Sequence, residues 1–427
     1  MLRPAGQAFA EDPPILHAAI ELRPKIQAAG DEMERIRRIP PEIAEAMKDA
    51  GVFGMVLPRS WGAPELDPLT QLRVIEALAM AEGSAGWCAM IGCDSGYITA
   101  FLDENVAREM YPDIWVATAA TATATGQATP VRGGYRVSGR FPFSSGCQHS
   151  EWVWVGCNVV ENGTQRINAK GVPETRTCFL KLSEVEILDT WYTTRLRGTG
   201  SHDLAVHDVV VPTERTFSFQ DPELVKRPGP LYAFPLMFIA KGAAPALGIA
   251  RHAIDVVIEN AKRKPARRMI LGEGSEPAKL LRDEVFVQES VARAETLLGS
   301  ARAYLFDVIG DMWETLVEER RLSETQQARF FMAYTHVVGT CVEAVQHVYK
   351  ASGGAAVYQS GALDRCLRDV LTMNQHVIGS LRTYEIAGRL LLGLEPLRWL
   401  LQRSSTSCIG CCSSKMVEEQ RRLPSAS

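Results

Sequence analysis

The sequence predicts an α+β protein in which helix predominates: an N-terminal helical domain, a central β-barrel or sandwich domain, and a C-terminal helical bundle. Three observations carry this. Apolar residues recur three and four apart from Ile15 to about Val106, which is the period of a helix. Composition turns abruptly to Thr, Val and Gly after Trp115. Helical period returns after Pro235 and persists over stretches of bundle length.

In the first unit, ILHAAIELRPKIQAAGDEMERIRRIPPEIAEAMKDAGVFGMVLP is broken at Gly30, at the Pro40–Pro41 pair and at Gly51, where a helix stops most easily. LTQLRVIEALAMAEGSAGWCAMIGCDSGYITAFL follows as two helices whose small residues allow close approach. The second unit opens with VATAATATATGQATPVRGGYRVSGRFPFSSG, whose alternation around GGYRVSGRF predicts strands joined by tight turns. EWVWVGCNVV, TRTCFLKL, VEILDTW and LAVHDVVVP continue the pattern between turn formers. In the third unit three long amphipathic stretches follow, the last opened by SETQ, where Ser323 and Gln326 form a capping box. These readings divide the chain at 1–115, 116–225 and 226–400, with a flexible tail at 401–427.

With 46 basic and 50 acidic residues the formal net charge is -4, which gives no general pull toward nucleic acid or an anionic membrane. No apolar run approaches the roughly 20 residues that span a bilayer. MLRPAGQAFAEDPP lacks a signal-peptide core, so the expected location is cytoplasmic and the expected partner a small molecule. The ten cysteines are scattered and expected to be reduced; Cys408, Cys411 and Cys412 cluster near the end, but no histidine completes a zinc set, so no metal is expected. G-x-S-x-G, Walker, H-E-x-x-H and Rossmann motifs are all absent.

One stretch gathers small polar groups between a strand and an aromatic exit: FPFSSGCQHSEWVWVG, residues 141–156. Taken alone it is either a turn that closes a strand or a polar edge walled by Trp152 and Trp154. From about residue 15 to 400 the chain resembles the acyl-CoA dehydrogenase fold family, on FGMVLPRSWGAPELD, AMAEGSAGWCAM, GGYRVSGRFPFSSG, RGTGSHDLAVHDVVVP and SGGAAVYQSGALDRCLRD. Within it, FPFSSGCQHSEWVWVG is similar to the flavin-dependent monooxygenase branch. That resemblance implies reduced FMN or FAD delivered by a separate reductase, O2, a C4a-hydroperoxyflavin, and hydroxylation or oxygenation of a small, aromatic or natural-product substrate by a homotetramer. The alternative is an acyl-CoA dehydrogenase or oxidase with bound FAD; a scaffold without flavin is a third reading.

The same resemblance implies site residues. Phe143, Ser144 and Ser145 would lie at the flavin, the two serines on its N5 and O4 edge. The family's α-proton-abstracting glutamate falls, counted from Asp369, at Val377, so that carboxylate is missing, and His376 matches the branch's histidine. A neutral imidazole there could pass protons, or could simply cap or pack between helices. Where some aromatic hydroxylases of the branch carry a histidine on the small-residue helices, this chain has Cys93, Asp94 and Ser95; Asp94 is the candidate base or substrate anchor. Arg263, Arg267 and Arg268 in KRKPARRMILGEG match a phosphate-binding helix end, or form a solvated face. Ser201 and His202 face the cavity, or His202 and Asp203 pair locally.

Overall fold

The computed structural model describes residues 12–394 apart from 222–223, 267–279, 360 and 381. Its first part is helical: α1 (Pro14–Ala28), α2 (Gly30–Ile36), α3 (Pro41–Asp49), α4 (Pro68–Ala79), α5 (Gly83–Gly92), α6 (Ser95–Ile98) and α7 (Glu104–Met110). Proline opens α1, α3 and α4, where its missing N–H costs nothing. Asp67 caps α4 by accepting from Thr70 N. Helix α5 is so closely packed that a side chain on Gly86 would reach within 2.4 Å of Ala79 Cβ.

Strands follow as β1 (Ala117–Val131), β2 (Gly134–Ser144), β3 (Ser150–Glu161), β4 (Thr164–Gln165), β5 (Thr175–Lys181), β6 (Glu186–Leu188), β7 (His202–Pro212) and β8 (Thr216–Phe217). They form one sheet in the order β6-β7-β2-β1-β3-β5-β8, with β4 on β3 and, among the described residues, β6 and β8 at its edges. Among the described strands only β1 and β3 pair in parallel. The chain therefore carries β2 along one side of β1 and crosses the start of β1 to reach β3 on the other, and the crossing segment is Ser145–His149. Period-two alternation splits β3 between two cores: Val153, Val155 and Cys157 pack within the sheet, while Trp152 and Trp154 enter the helical core.

The last part comprises α8 (Ala244–Ala261), α9 (Val285–Glu319), α10 (Glu324–Ala351), α11 (Ala362–Met373) and α12 (Arg382–Leu391). Ser323 and Gln326 do form the capping box at the start of α10. One apolar cluster runs through the N-terminal and C-terminal helices alike, from Leu16 to Ile386, so both helical parts rest on a shared core. No helix among the described residues is long and apolar enough to cross a membrane.

Candidate active site

The end of β2 is irregular by construction. Its ladder with β7 slips between Phe141 and Ser144, and Phe143 takes φ 62°, a left-handed conformation that is strained for an aromatic residue. Ser145 N donates to the Phe143 carbonyl at 3.0 Å to close the turn. The twist throws the Phe143 ring outward, 69% exposed and edge-on to Trp191 at 6.3 Å, while Ser144 turns inward beside His202 of β7. The Ser144 hydroxyl is buried and has no hydrogen-bond partner among the described residues.

Ser145 is different, because its hydroxyl belongs to a directed chain. Thr199 Oγ1 donates to the Leu196 carbonyl at 2.8 Å, which spends its hydrogen. Ser201 must then donate to Thr199 at 2.6 Å, and Ser145 to Ser201 at 2.7 Å. At the head of the chain Trp87 Nε1 donates to Ser145 Oγ at 3.0 Å. The anchor is itself fixed: Leu196 sits at φ 44°, and its N–H donates to Asp369 Oδ1 at 2.6 Å. No hydrogen remains on Ser145 for a ligand, so the free donor at this edge is Ser144.

Trp87 links the serines to His376. The His376 ring lies edge-on to Trp87 at 5.5 Å and tilted to Tyr334 at 6.4 Å. Its Nδ1 accepts from Ile378 N at 3.4 Å at the start of a short 3-10 turn, which leaves the hydrogen on Nε2. Capping, packing and proton handling are thus compatible in one residue. Desolvation lowers the His376 pKa to about 4, so the ring is neutral at ordinary pH. In the unfolded chain it takes a proton at about 6.5, so the fold loses stability as pH falls from there toward 4. His376→Gln removes that penalty: relative to wild type the variant should gain at most about 1.4 kcal/mol per pH unit across this window, measured by urea unfolding at neutral and mildly acid pH.

The other predicted residues fall in several places. Asp94 is buried against Lys241, whose ammonium donates to it. Arg263 is exposed just past the end of α8, with Nε bonded back to the Glu259 carbonyl; Arg267 and Arg268 lie outside the described residues, as does the Cys408, Cys411 and Cys412 cluster. His202 and Asp203 do not pair with each other: His202 Nδ1 accepts from Thr190 N and Trp191 N, both at 3.2 Å, and Asp203 binds Arg140 at 2.6 Å. Trp152 and Trp154 do not wall the serines, because the strand's alternation points them into the helical core, where Trp152 Nε1 donates to the Met110 carbonyl at 2.9 Å. Val377, the residue next to His376, is 40% exposed. Trp87, Tyr334, Asp369 and Lys241 were missed as site residues. Trp87 carried a signal, as the one large aromatic among the small residues of GSAGWCAMIG, and Lys241 another, as a lone charge in LMFIAKGAAPALGIA.

Family comparison agrees with this geometry. Residues 19–115 match the N-terminal domain of acyl-CoA dehydrogenase and residues 241–380 the C-terminal domain. The chain is 31% identical over 370 residues to the indole-3-acetate monooxygenase of Pseudomonas putida, covering 86% of this chain and 90% of that protein. It belongs to the flavin-dependent monooxygenases of the acyl-CoA dehydrogenase fold. A second monooxygenase of this family, the oxygenase subunit HsaA of Mycobacterium tuberculosis, is 28% identical over 392 residues, 90% of this chain and 96% of that one. The HsaA crystal structure superposes with a TM-score of 0.80 at 27% identity, covering 90% and 98% of the two chains. A reduced flavin fits what this monooxygenase presents: a buried, unpartnered hydroxyl on Ser144, an exposed aromatic face on Phe143, and a neutral imidazole at His376.

Proposed function

We propose that the protein is the oxygenase component of a two-component system that hydroxylates a small aromatic substrate, taking reduced FMN or FAD from a separate reductase. The carrying observation is the Ser144 hydroxyl, buried without a partner next to a residue held in a strained turn. When bound, reduced flavin supplies the activation of O2 and the transfer of one oxygen atom. The protein's part is to hold and shield. Ser144 donates to the ring edge, Ser145 is locked by Trp87 and Ser201 so that the edge stays rigid, and Phe143 offers its ring as a face. Trp87 and Tyr334 flank His376 and limit water around it, and His376 Nε2 moves a proton at the reacting oxygen. Asp94 acts on the substrate side.

Phosphate binding falls to Arg263, Arg267 and Arg268 across a subunit contact in a cytoplasmic homotetramer. Relatives named as oxygenase subunit and oxygenase component support the separate reductase. To test the reading, the protein is mixed anaerobically with reduced FMN or FAD, O2 is admitted, and absorbance is followed. Oxidised flavin should appear later than it does from free reduced flavin. Its appearance at the free-flavin rate would sink the monooxygenase reading. Protein purified with tightly held FAD, reducible by an acyl thioester, would establish the dehydrogenase instead; Val377 at the base position speaks against that.

A further inference from the structure

A cavity of about 450 Å³ lies between the end of α2, the crossing segment and the β6–β7 edge of the sheet. Ile36, Arg37 and Arg38 line it from the helix side, Gln148 from the crossing segment, and Ile187, Asp189 and His202 from the sheet. Ligand pockets commonly run to about 300–1,000 Å³, so the space suits one small molecule. It is set apart from the flavin edge. Neither serine, nor Phe143, Trp87, His376 or Asp94, is in its wall, although His202 is the register partner of Ser144.

The two arginines have different duties. Helix α2 ends in a left-handed turn at Arg37, φ 55°, and this guanidinium is already taken: it reaches both oxygens of Asp189, at 2.7 and 3.1 Å, and lies 4.0 Å from the centre of the Tyr192 ring. Arg38 meets no carboxylate among the described residues. It gives Nη2 to the Gln148 carbonyl at 3.3 Å, while its Nε is buried without a partner there. Gln148 Oε1 is likewise buried and unpartnered among the described residues, and it lies 2.7 Å from where a Gly200 Cβ would stand, so a side chain at Gly200 would displace it. His202 is 2% exposed, and its Nδ1 is spent on the Thr190 and Trp191 amides, which puts the ring hydrogen on Nε2. Burial lowers the His202 pKa and keeps the ring neutral. Arg37 and Asp189 cancel, so Arg38 leaves the wall with one uncompensated positive charge.

We infer that this cavity binds a small monocarboxylate with an apolar body. The carboxylate pairs with Arg38, and the body lies on Ile36 and on Ile187, which the edge strand β6 leaves 36% exposed. A second negative charge would find no cation of its own and would face Asp189, so a monoanion is favoured over phosphate. The occupant would tie the end of α2 to both segments that carry the serine chain, because Gln148 lies three residues after Ser145 and His202 directly follows Ser201. Binding here needs neither flavin nor oxygen, so it stands or falls apart from the monooxygenase reading.

The probe is benzoate, titrated calorimetrically into flavin-free protein at neutral pH. Wild type should bind it saturably and should bind inorganic phosphate about tenfold more weakly. Arg38→Met should weaken benzoate about tenfold or more, the scale of a hydrogen-bonded charge. Arg38→Lys keeps the charge without the planar fork and should fall between the two. Asp189→Asn removes the opposing carboxylate and releases Arg37, so benzoate should tighten about two- to fivefold and phosphate by more. Circular dichroism verifies folding; if Arg38→Met does not fold, Arg38→Lys and Asp189→Asn decide. Absence of saturable binding to wild type, phosphate held as tightly as benzoate, a benzoate affinity that a folded Arg38→Met leaves within about twofold of wild type, or one that Asp189→Asn fails to raise overturns the inference, whatever the reduced-flavin experiment shows.

Discussion

Ser144→Ala should yield a protein that folds at least as well as wild type and handles reduced flavin much worse. The hydroxyl is buried with no partner, and an unsatisfied buried polar group costs roughly 1–3 kcal/mol. Removing it should hold or raise the melting temperature of the flavin-free protein. With reduced flavin and O2, losing the one free donor at the ring edge should speed the appearance of oxidised flavin and release of hydrogen peroxide by about a hundredfold, the scale of losing one preorganised donor. Ser145→Ala should show the opposite stability: it strips Trp87 Nε1 and Ser201 of a partner and should cost about 1–2 kcal/mol. Thermal melts beside stopped-flow traces check both halves. A Ser144→Ala protein that melts several degrees lower, with unchanged flavin oxidation, would reassign the residue to structure.

Arg365→Met should produce the largest loss of stability. Arg365 binds Glu82 at 3.2 Å and also Asp31, and Glu82 is only 3% exposed at the start of α5. Desolvation already raises the Glu82 pKa, with Arg365 opposing the rise, and Asp369 lies in the same buried neighbourhood. Taking the guanidinium away leaves an uncompensated buried carboxylate, at a cost of about 3–5 kcal/mol. The guanidinium also packs 2.4 Å from where a Gly30 Cβ would stand, so its loss opens a gap at α2. Urea unfolding measures the deficit. Adding Glu82→Leu should recover a large part of it, since two apolar residues replace a pair without leaving a charge; a single variant within about 1 kcal/mol of wild type would show that solvent already reaches the pair.

Much of the fold was legible because it is written in local periods. The switch from period 3.6 to period 2 after Trp115, and back after Pro235, needs no long-range information, and strands do lie between Ala117 and Phe217. The polar stretch after β2 was also legible as a site candidate. What one sequence could not give was the division of labour inside it. Ser144 and Ser145 are adjacent and chemically alike, and only their distant neighbours, Trp87 on a helix and Ser201 just ahead of β7, separate them. The tryptophans of β3 show the same limit: their alternation was visible, but which face met the helical core depended on how the sheet packs. Asp94 was visible as a carboxylate, whereas its partner lies 147 residues further on.

The anchor beneath the serine chain is as remote. Leu196 is held in its left-handed turn by Asp369, 173 residues later in the chain. During synthesis at roughly 5–20 residues per second, the strand module, which ends at Phe217, is made some eight to thirty seconds before that carboxylate exists. Until then Ser201 and Thr199 have no fixed base to hang from, so a nascent chain can complete its sheet without yet owning a site that could mishandle oxygen. Competence arrives with the last helices.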